Sequence, residues 1–255
     1  MVLGFDIFRA RFGRDIIAEF MPSAYPSNKV VIVTPGCPGY PGNKRDLMQL
    51  LSRKGYWSIV PSYRGTWESG GMFLEYPPSD DVIIIIDELS LGFRDLWSSA
   101  EYRIEDPQIY LLGASFGGPA AILASRDARV KKAATISAVT DWRDQEHTVE
   151  PLHLMDQYVA SAYGMAYRTN EKVYAKLAQG DFYNPTHEQS SIDGSKLLLI
   201  HALDDKVVHH APAETFAKAT GAKLITLRSG GHMGVRSATV PSLWRVIERH
   251  FSGKK

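Results

Sequence analysis

Three kinds of side chain in this sequence stand in an order that would suit acyl transfer through a serine. Ser115 lies in Gly113-Ala114-Ser115-Phe116-Gly117, two adjacent carboxylates lie at Asp204 and Asp205, and His232 follows Ser229-Gly230-Gly231. A serine hydroxyl is a weak nucleophile near neutral pH, so it needs a base within hydrogen-bond reach and a third group to orient that base. Taken singly, an aspartate such as Asp205 reads as a helix N-cap and His232 as a surface-loop histidine. Taken together they read as nucleophile, orienting carboxylate and base.

The elements around them agree. QIYLLG at 108–113 is a short apolar strand that runs through GASFGG into the helix former PAAILASRDA, and this strand, tight turn and helix is the context of a nucleophile elbow. The turn would hold Ser115 in a strained backbone conformation, with Gly113 and Gly117 giving the neighbouring backbone room. KLLLIH at 196–201 leads into Asp204 and Asp205, and KLITLR at 223–228 leads into His232, so all three groups follow predicted strands. In an open parallel sheet that is the edge where ligands bind. The order Ser, Asp, His is that of an α/β-hydrolase.

The oxyanion of a tetrahedral intermediate needs two fixed donors. One is the backbone N–H of Phe116, and we assign the second to the backbone N–H of Cys37 in the loop after KVVIVT (29–34), because Pro35 and Pro38 have none. As a thiol, Cys37 reads better as a small apolar filler than as a rival nucleophile.

Residues 4–21 read as a hairpin turning at Phe12–Arg14, YWSIVPS at 56–62 and VKKAATISA at 130–138 as strands, and RDLMQLLSRKG and PSLWRVIERHF as helices. PPSDDVIIIIDELS favours a strand by its four isoleucines, yet its prolines and acidic start favour a helix, which we expect. Apolar strands alternating with helices imply an α/β fold with a mostly parallel sheet covered on both faces. Residues 139–192 are too long for an ordinary connection and read as a cap-like insertion in a single domain, with helices near 151–163 and 170–179. Its aromatics Trp142, Tyr158, Tyr163, Tyr167, Tyr174, Phe182 and Tyr183, with Met165, either pack the insertion down or line a substrate pocket. We take Trp142, Tyr158 and Tyr163, with Tyr40, as substrate-binding residues.

These motifs resemble those of the prolyl oligopeptidase family within the α/β-hydrolase superfamily. PGCPG at 35–39 is similar to its HGGPxG oxyanion loop, SYRGTWESGG at 62–71 to its YRGSxxxG segment, GASFGG at 113–118 to its GxSxGG elbow, HALDDKVV at 201–208 to its HGxxDxxV segment, and GGHM at 230–233 to its histidine loop. The resemblance places the orienting carboxylate on Asp205. Pro35 stands where the family has His, and Ala202 where it has Gly. The chain begins almost directly with the catalytic domain, so the β-propeller of many family peptidases is expected to be absent, and no acidic pair marks a binding site for a peptide amino terminus.

Composition narrows the remaining classes. In 255 residues, 29 Lys and Arg against 28 Asp and Glu leave a formal charge of +1, which gives no drive toward nucleic acid or an acidic membrane surface. One cysteine makes neither an internal disulfide nor a thiolate zinc site, and His201, His209 and His210 lack the spaced partners of a metal site. No metal or cofactor is expected. The first fifteen residues carry Asp6, Arg9, Arg11 and Arg14 and form neither a signal peptide nor a membrane span, so a cytoplasmic protein is expected. The expected partner is a small-molecule ester or a short peptide, with a homodimer as the candidate assembly. A small carboxylic ester is favoured over a peptide, because an amide demands more of leaving-group protonation. Transfer of the acyl group to another acceptor, and a binding protein that keeps only the pocket, are the alternatives.

Overall fold

The first two strands, β1 (Phe8–Phe12) and β2 (Ile16–Met21), form an antiparallel hairpin at one edge of the sheet. We describe the chain from a computed structural model, in which residues 6–170 and 173–253 are described. Of the expected hairpin, residues 4 and 5 lie outside that range, as do 171 and 172 of the second expected cap helix.

The next strands are β3 (Lys29–Thr34), β4 (Trp57–Pro61), the two-residue β5 (Phe93–Arg94) and β6 (Glu101–Tyr102), β7 (Gln108–Ala114), β8 (Val130–Ile136), β9 (Leu197–Ala202) and β10 (Lys223–Leu227). Eight of them form one sheet in the order β1-β2-β4-β3-β7-β8-β9-β10, while β5 and β6 pair apart from it. From β4 to β10 every neighbour is parallel, so each connection must cross over a face of the sheet. From Val30 onward successive residues of β3 are therefore all buried: Val30 and Ile32 point into one apolar layer, and Val31 and Val33 into the other.

The helices are α1 (Arg45–Arg53), α2 (Pro78–Leu89), α3 (Gly117–Ala124), α4 (Leu152–Tyr163), α5 (Val173–Ala178), α6 (His210–Thr220) and α7 (Pro241–Ser252). Leu47, Met48 and Leu51 of α1 share one layer with Trp244, Ile247 and Phe251 of α7. The opposite layer holds α2, α3, Phe216 of α6 and the insertion. The four isoleucines of α2 are helical because Pro77 and Pro78 with Asp80 and Asp81 set a helix start, after which Val82, Ile85, Ile86 and Leu89 fall on one buried face. Among the described residues no helix is long and apolar enough to cross a membrane.

Residues 137–196 leave the sheet between β8 and β9 and return over its C-terminal edge. They are tied to the loop after β4 by Trp67 N–H donating to the Ala166 carbonyl (2.7 Å) and Arg168 N–H donating to the Gly65 carbonyl (2.8 Å). Gly65 is required there, since a Cβ on it would lie 1.9 Å from the Phe73 nitrogen. The architecture is that of an α/β-hydrolase with a helical insertion above the strand ends.

Candidate active site

Between the end of β7 and the start of α3 the chain reverses within two residues. Ser115 takes φ +51°, which for a non-glycine residue costs about 1–2 kcal/mol. The conformation is held from both sides. Ser115 N–H donates to the Ile136 carbonyl (3.1 Å), and its own carbonyl accepts from the amides of Gly118 (2.9 Å) and Val139 (3.2 Å). The flanking glycines serve close packing rather than unusual dihedrals. A Cβ on Gly113 would lie 2.6 Å from the Gly117 carbonyl oxygen, and one on Gly117 would lie 2.1 Å from that of Thr34.

His232 Nε2 lies 2.9 Å from Ser115 Oγ, and His232 Nδ1 lies 3.0 Å from Asp205 Oδ2. The carboxylate is buried, and its other oxygen accepts from the amides of Val207 and Val208, both at 3.0 Å. A carboxylate facing Nδ1 requires a proton there, so Nε2 is the bare nitrogen and can accept the serine proton. Burial opposes the charge on Asp205, but hydrogen bonds from His201 and His232, the Val208 amide and the nearby imidazole charge outweigh it and hold the carboxyl well below the usual range. The neighbouring Asp204 does a different job: its Oδ1 accepts from Gly231 N–H at 2.8 Å and so fixes the loop that carries His232. Gly231 itself sits at φ +57°.

The loop after β3 comes against the elbow at Gly36, where an ideal Cβ would lie 3.2 Å from Ser115 Cβ. Three side chains clamp it. Tyr63 donates to the Pro35 carbonyl (2.8 Å), Trp67 Nε1 donates to the Gly39 carbonyl (2.8 Å), and the Tyr167 hydroxyl accepts from Gly39 N–H (2.9 Å). Cys37 and Phe116 line, with Ser115, a cavity of about 40 Å³ closed by Trp142, Leu152 and Met155. Among the described residues neither the Cys37 nor the Phe116 amide N–H has an acceptor. The Cys37 thiol touches the Tyr174 hydroxyl at 3.7 Å, and burial, against weaker hydrogen-bond effects from the tyrosines, pushes it up to about 12. It is therefore a protonated wall of the cavity.

A wider cavity of about 370 Å³ opens on Ser115 and His232 at the molecular surface, lined also by Tyr158, Tyr163, Glu150, Lys44 and Arg236. Of the four aromatics expected to meet substrate, Trp142 reaches the inner cavity and Tyr158 and Tyr163 the outer one. Tyr40 reaches neither. It is 54% exposed, packs on Tyr163 (5.4 Å between ring centroids) and Trp67 (5.7 Å), and lines a separate small cavity with Glu19. Tyr183 braces the elbow, its hydroxyl donating to the Phe116 carbonyl at 2.8 Å, and Met165 is 82% exposed.

The three histidines of the cluster each have partners of their own. His201 Nε2 lies 2.8 Å from the Val208 carbonyl and 3.4 Å from Asp205 Oδ2, His209 Nδ1 lies 2.9 Å from Asp144, and His210 Nε2 lies 2.9 Å from Thr226 Oγ1. Among the described residues no three His, Cys, Asp or Glu side chains are grouped to hold a metal ion. Sequence reasoning missed Glu150, Lys44 and Arg236, which carry no motif, and the contact of His201 with Asp205. The resemblance over HALDDKVV contained that histidine.

Fold and elbow together define an α/β-hydrolase. The model of the prolyl oligopeptidase family matches residues 44–239, from the start of α1 to the residues before α7. This chain belongs to that family. No curated protein sequence matches it. Among solved structures, an esterase of Pyrococcus furiosus superposes with a TM-score of 0.70 at 16% identity, over 98% of this chain and 91% of that one. An acylaminoacyl peptidase of Pyrococcus horikoshii superposes with a TM-score of 0.63 at 18% identity, over 96% of this chain and 39% of that larger one. At such identities the likeness is one of fold.

Proposed function

We propose that the protein is a serine hydrolase that works through an acyl-enzyme, with a small carboxylic ester as the preferred substrate. The observation that carries this reading is the continuous hydrogen-bonded chain from Ser115 Oγ through His232 to Asp205, on a serine held at positive φ. Ser115 attacks the acyl carbonyl while His232 Nε2 takes its proton, and Asp205 steadies the imidazolium. The amide N–H groups of Cys37 and Phe116 receive the oxyanion. His232 then protonates the leaving alcohol, and water, activated by the same nitrogen, releases the acid.

The inner cavity supports a short acyl group. It is the smaller of the two cavities that open on Ser115, and its apolar walls of Phe116, Trp142, Leu152 and Met155 suit a short acyl chain. The family match supports peptide hydrolysis as the second reading, with the same residues in the same roles. Steady-state rates on short-chain aryl esters beside aminoacyl arylamides separate the two. The ester reading expects kcat/KM on esters at least about 10²-fold higher, which is about 2.7 kcal/mol of barrier. Comparable rates on both, or faster amide cleavage, would replace esterase with peptidase, and equal turnover by Ser115→Ala would remove both.

A further inference from the structure

The two ends of a bound ester must point in opposite directions from Ser115. The acyl end enters the inner cavity beside Phe116 and Trp142. The leaving oxygen must lie beside His232 Nε2, which returns the proton, so the leaving group occupies the wall that follows His232 in the chain. That wall is Gly234, Val235 and Arg236, together with Asn43 and Lys44 at the start of α1, which packs on residues 235–239.

Lys44 is unusual among them. It is only 5% exposed, yet it lines the outer cavity as well as the small cavity that holds Glu19 and Tyr40. Its ammonium has three donors, and among the described residues one acceptor, the Tyr40 carbonyl at 2.6 Å, with no ion-pair partner. Glu19 acts on it only through space, since that carboxylate accepts from Gly42 N–H at 2.9 Å and pairs with Arg9 at 3.7 Å. Arg236 adds a second positive charge near it while bonded to Asp46 at 2.8 Å. No carboxylate lies within ion-pair distance of the Lys44 ammonium among the described residues, Glu19 acting on it only from farther off, so an anion in the outer cavity would take up its unused donors. Consistent with this, desolvation, only partly offset by Glu19, lowers Lys44 to about 8.

We infer that the Lys44 wall is a subsite for leaving groups that bear a carboxylate, held by the Lys44 ammonium with Asn43 and Arg236 beside it. This rests on the reading of Ser115 as the nucleophile and adds a substrate class to it: esters of hydroxy acids. Glu150, on the wall shared with the inner cavity, repels the opposite placement, in which the acid group would enter acyl end first.

The test uses two butanoate esters of one shape, that of 4-hydroxybenzoate and that of methyl 4-hydroxybenzoate, on wild type, Lys44→Met and Lys44→Arg. The ratio of kcat/KM for the anionic over the neutral ester should fall about tenfold in Lys44→Met, the size of one charge-assisted hydrogen bond, through KM, and be largely restored in Lys44→Arg. A ratio unmoved by Lys44→Met overturns the subsite and leaves the hydrolase standing. Wild type inert on both esters overturns the hydrolase and the subsite with it. Inhibition of wild type on the neutral ester gives a measurement independent of how the variants fold: benzoate should inhibit about tenfold more tightly than benzamide, and equal inhibition overturns the subsite.

Discussion

Replacing Asp205 by Asn tests the site through a proton rather than through a missing side chain. Asp205 Oδ1 accepts from the amides of Val207 and Val208, both at 3.0 Å, so the Asn oxygen must stay there and its NH₂ must take the place of Oδ2. That NH₂ then faces His232 Nδ1 at 3.0 Å and His201 Nε2 at 3.4 Å. Two N–H groups cannot bond to each other, so His232 moves its proton to Nε2, which lies 2.9 Å from Ser115 Oγ and can no longer accept from it. The same exchange in a serine protease triad lowers kcat about 10⁴-fold, and we expect a fall of about 10³–10⁴ here, or about 4–5.4 kcal/mol. Asp204→Asn is the control, because an Asn oxygen still accepts from Gly231 N–H, and its effect should stay within about threefold. The assay is kcat/KM on p-nitrophenyl butanoate, with urea unfolding to establish that both variants are folded. A folded Asp205→Asn within about tenfold of wild type, or an Asp204→Asn more damaging than Asp205→Asn, would refute the assignment.

Three further outcomes are expected. Gly117→Ala should lose about 3 kcal/mol or more in urea unfolding, since its Cβ would lie 2.1 Å from the Thr34 oxygen and neither backbone can give way; a change under about 1 kcal/mol would contradict the packing. Met155→Ala lengthens the inner cavity, and the ratio of hexanoate to butanoate kcat/KM should rise about tenfold at about 0.8 kcal/mol for each of two added methylenes; an unchanged ratio would mean that the acyl chain lies elsewhere. Asp205 is held below its ordinary value, so its contribution to stability is full above the ordinary carboxylate pKa and is lost as pH falls through the folded value. Wild type should therefore lose more unfolding free energy than Asp205→Asn between about pH 6 and about pH 3, and equal losses would contradict the electrostatics.

Much of the frame was legible because strands buried on both sides write themselves as unbroken apolar runs. KVVIVT appears as Lys29–Thr34, QIYLLG as the body of Gln108–Ala114, and KLLLIH as most of Leu197–Ala202. The first cap helix, expected near 151–163, runs from Leu152 to Tyr163. Less legible were β5 and β6, two residues each, too short for alternation to register, and α6, whose alanines, first-turn proline and threonines carry no strong apolar stripe. Within the site, the groups that stand in sequence motifs were named and lie together around Ser115. Lys44 and Glu150 were not, because each reaches the cavity only through the way α1 and the insertion fold against the strand ends, which no local pattern encodes. The ring of Tyr40 lines neither cavity that opens on Ser115, since adjacency to the oxyanion loop in sequence does not fix where a ring packs.

The central claim is that Ser115 is an activated nucleophile. Incubating the folded protein with a fluorophosphonate and mapping the adduct by peptide mass spectrometry reads this directly. The account predicts one adduct, on Ser115, absent from Ser115→Ala and formed at least about 10²-fold more slowly in His232→Ala, where the base is gone. An adduct on another residue, or a folded wild type that takes up no label, would contradict it.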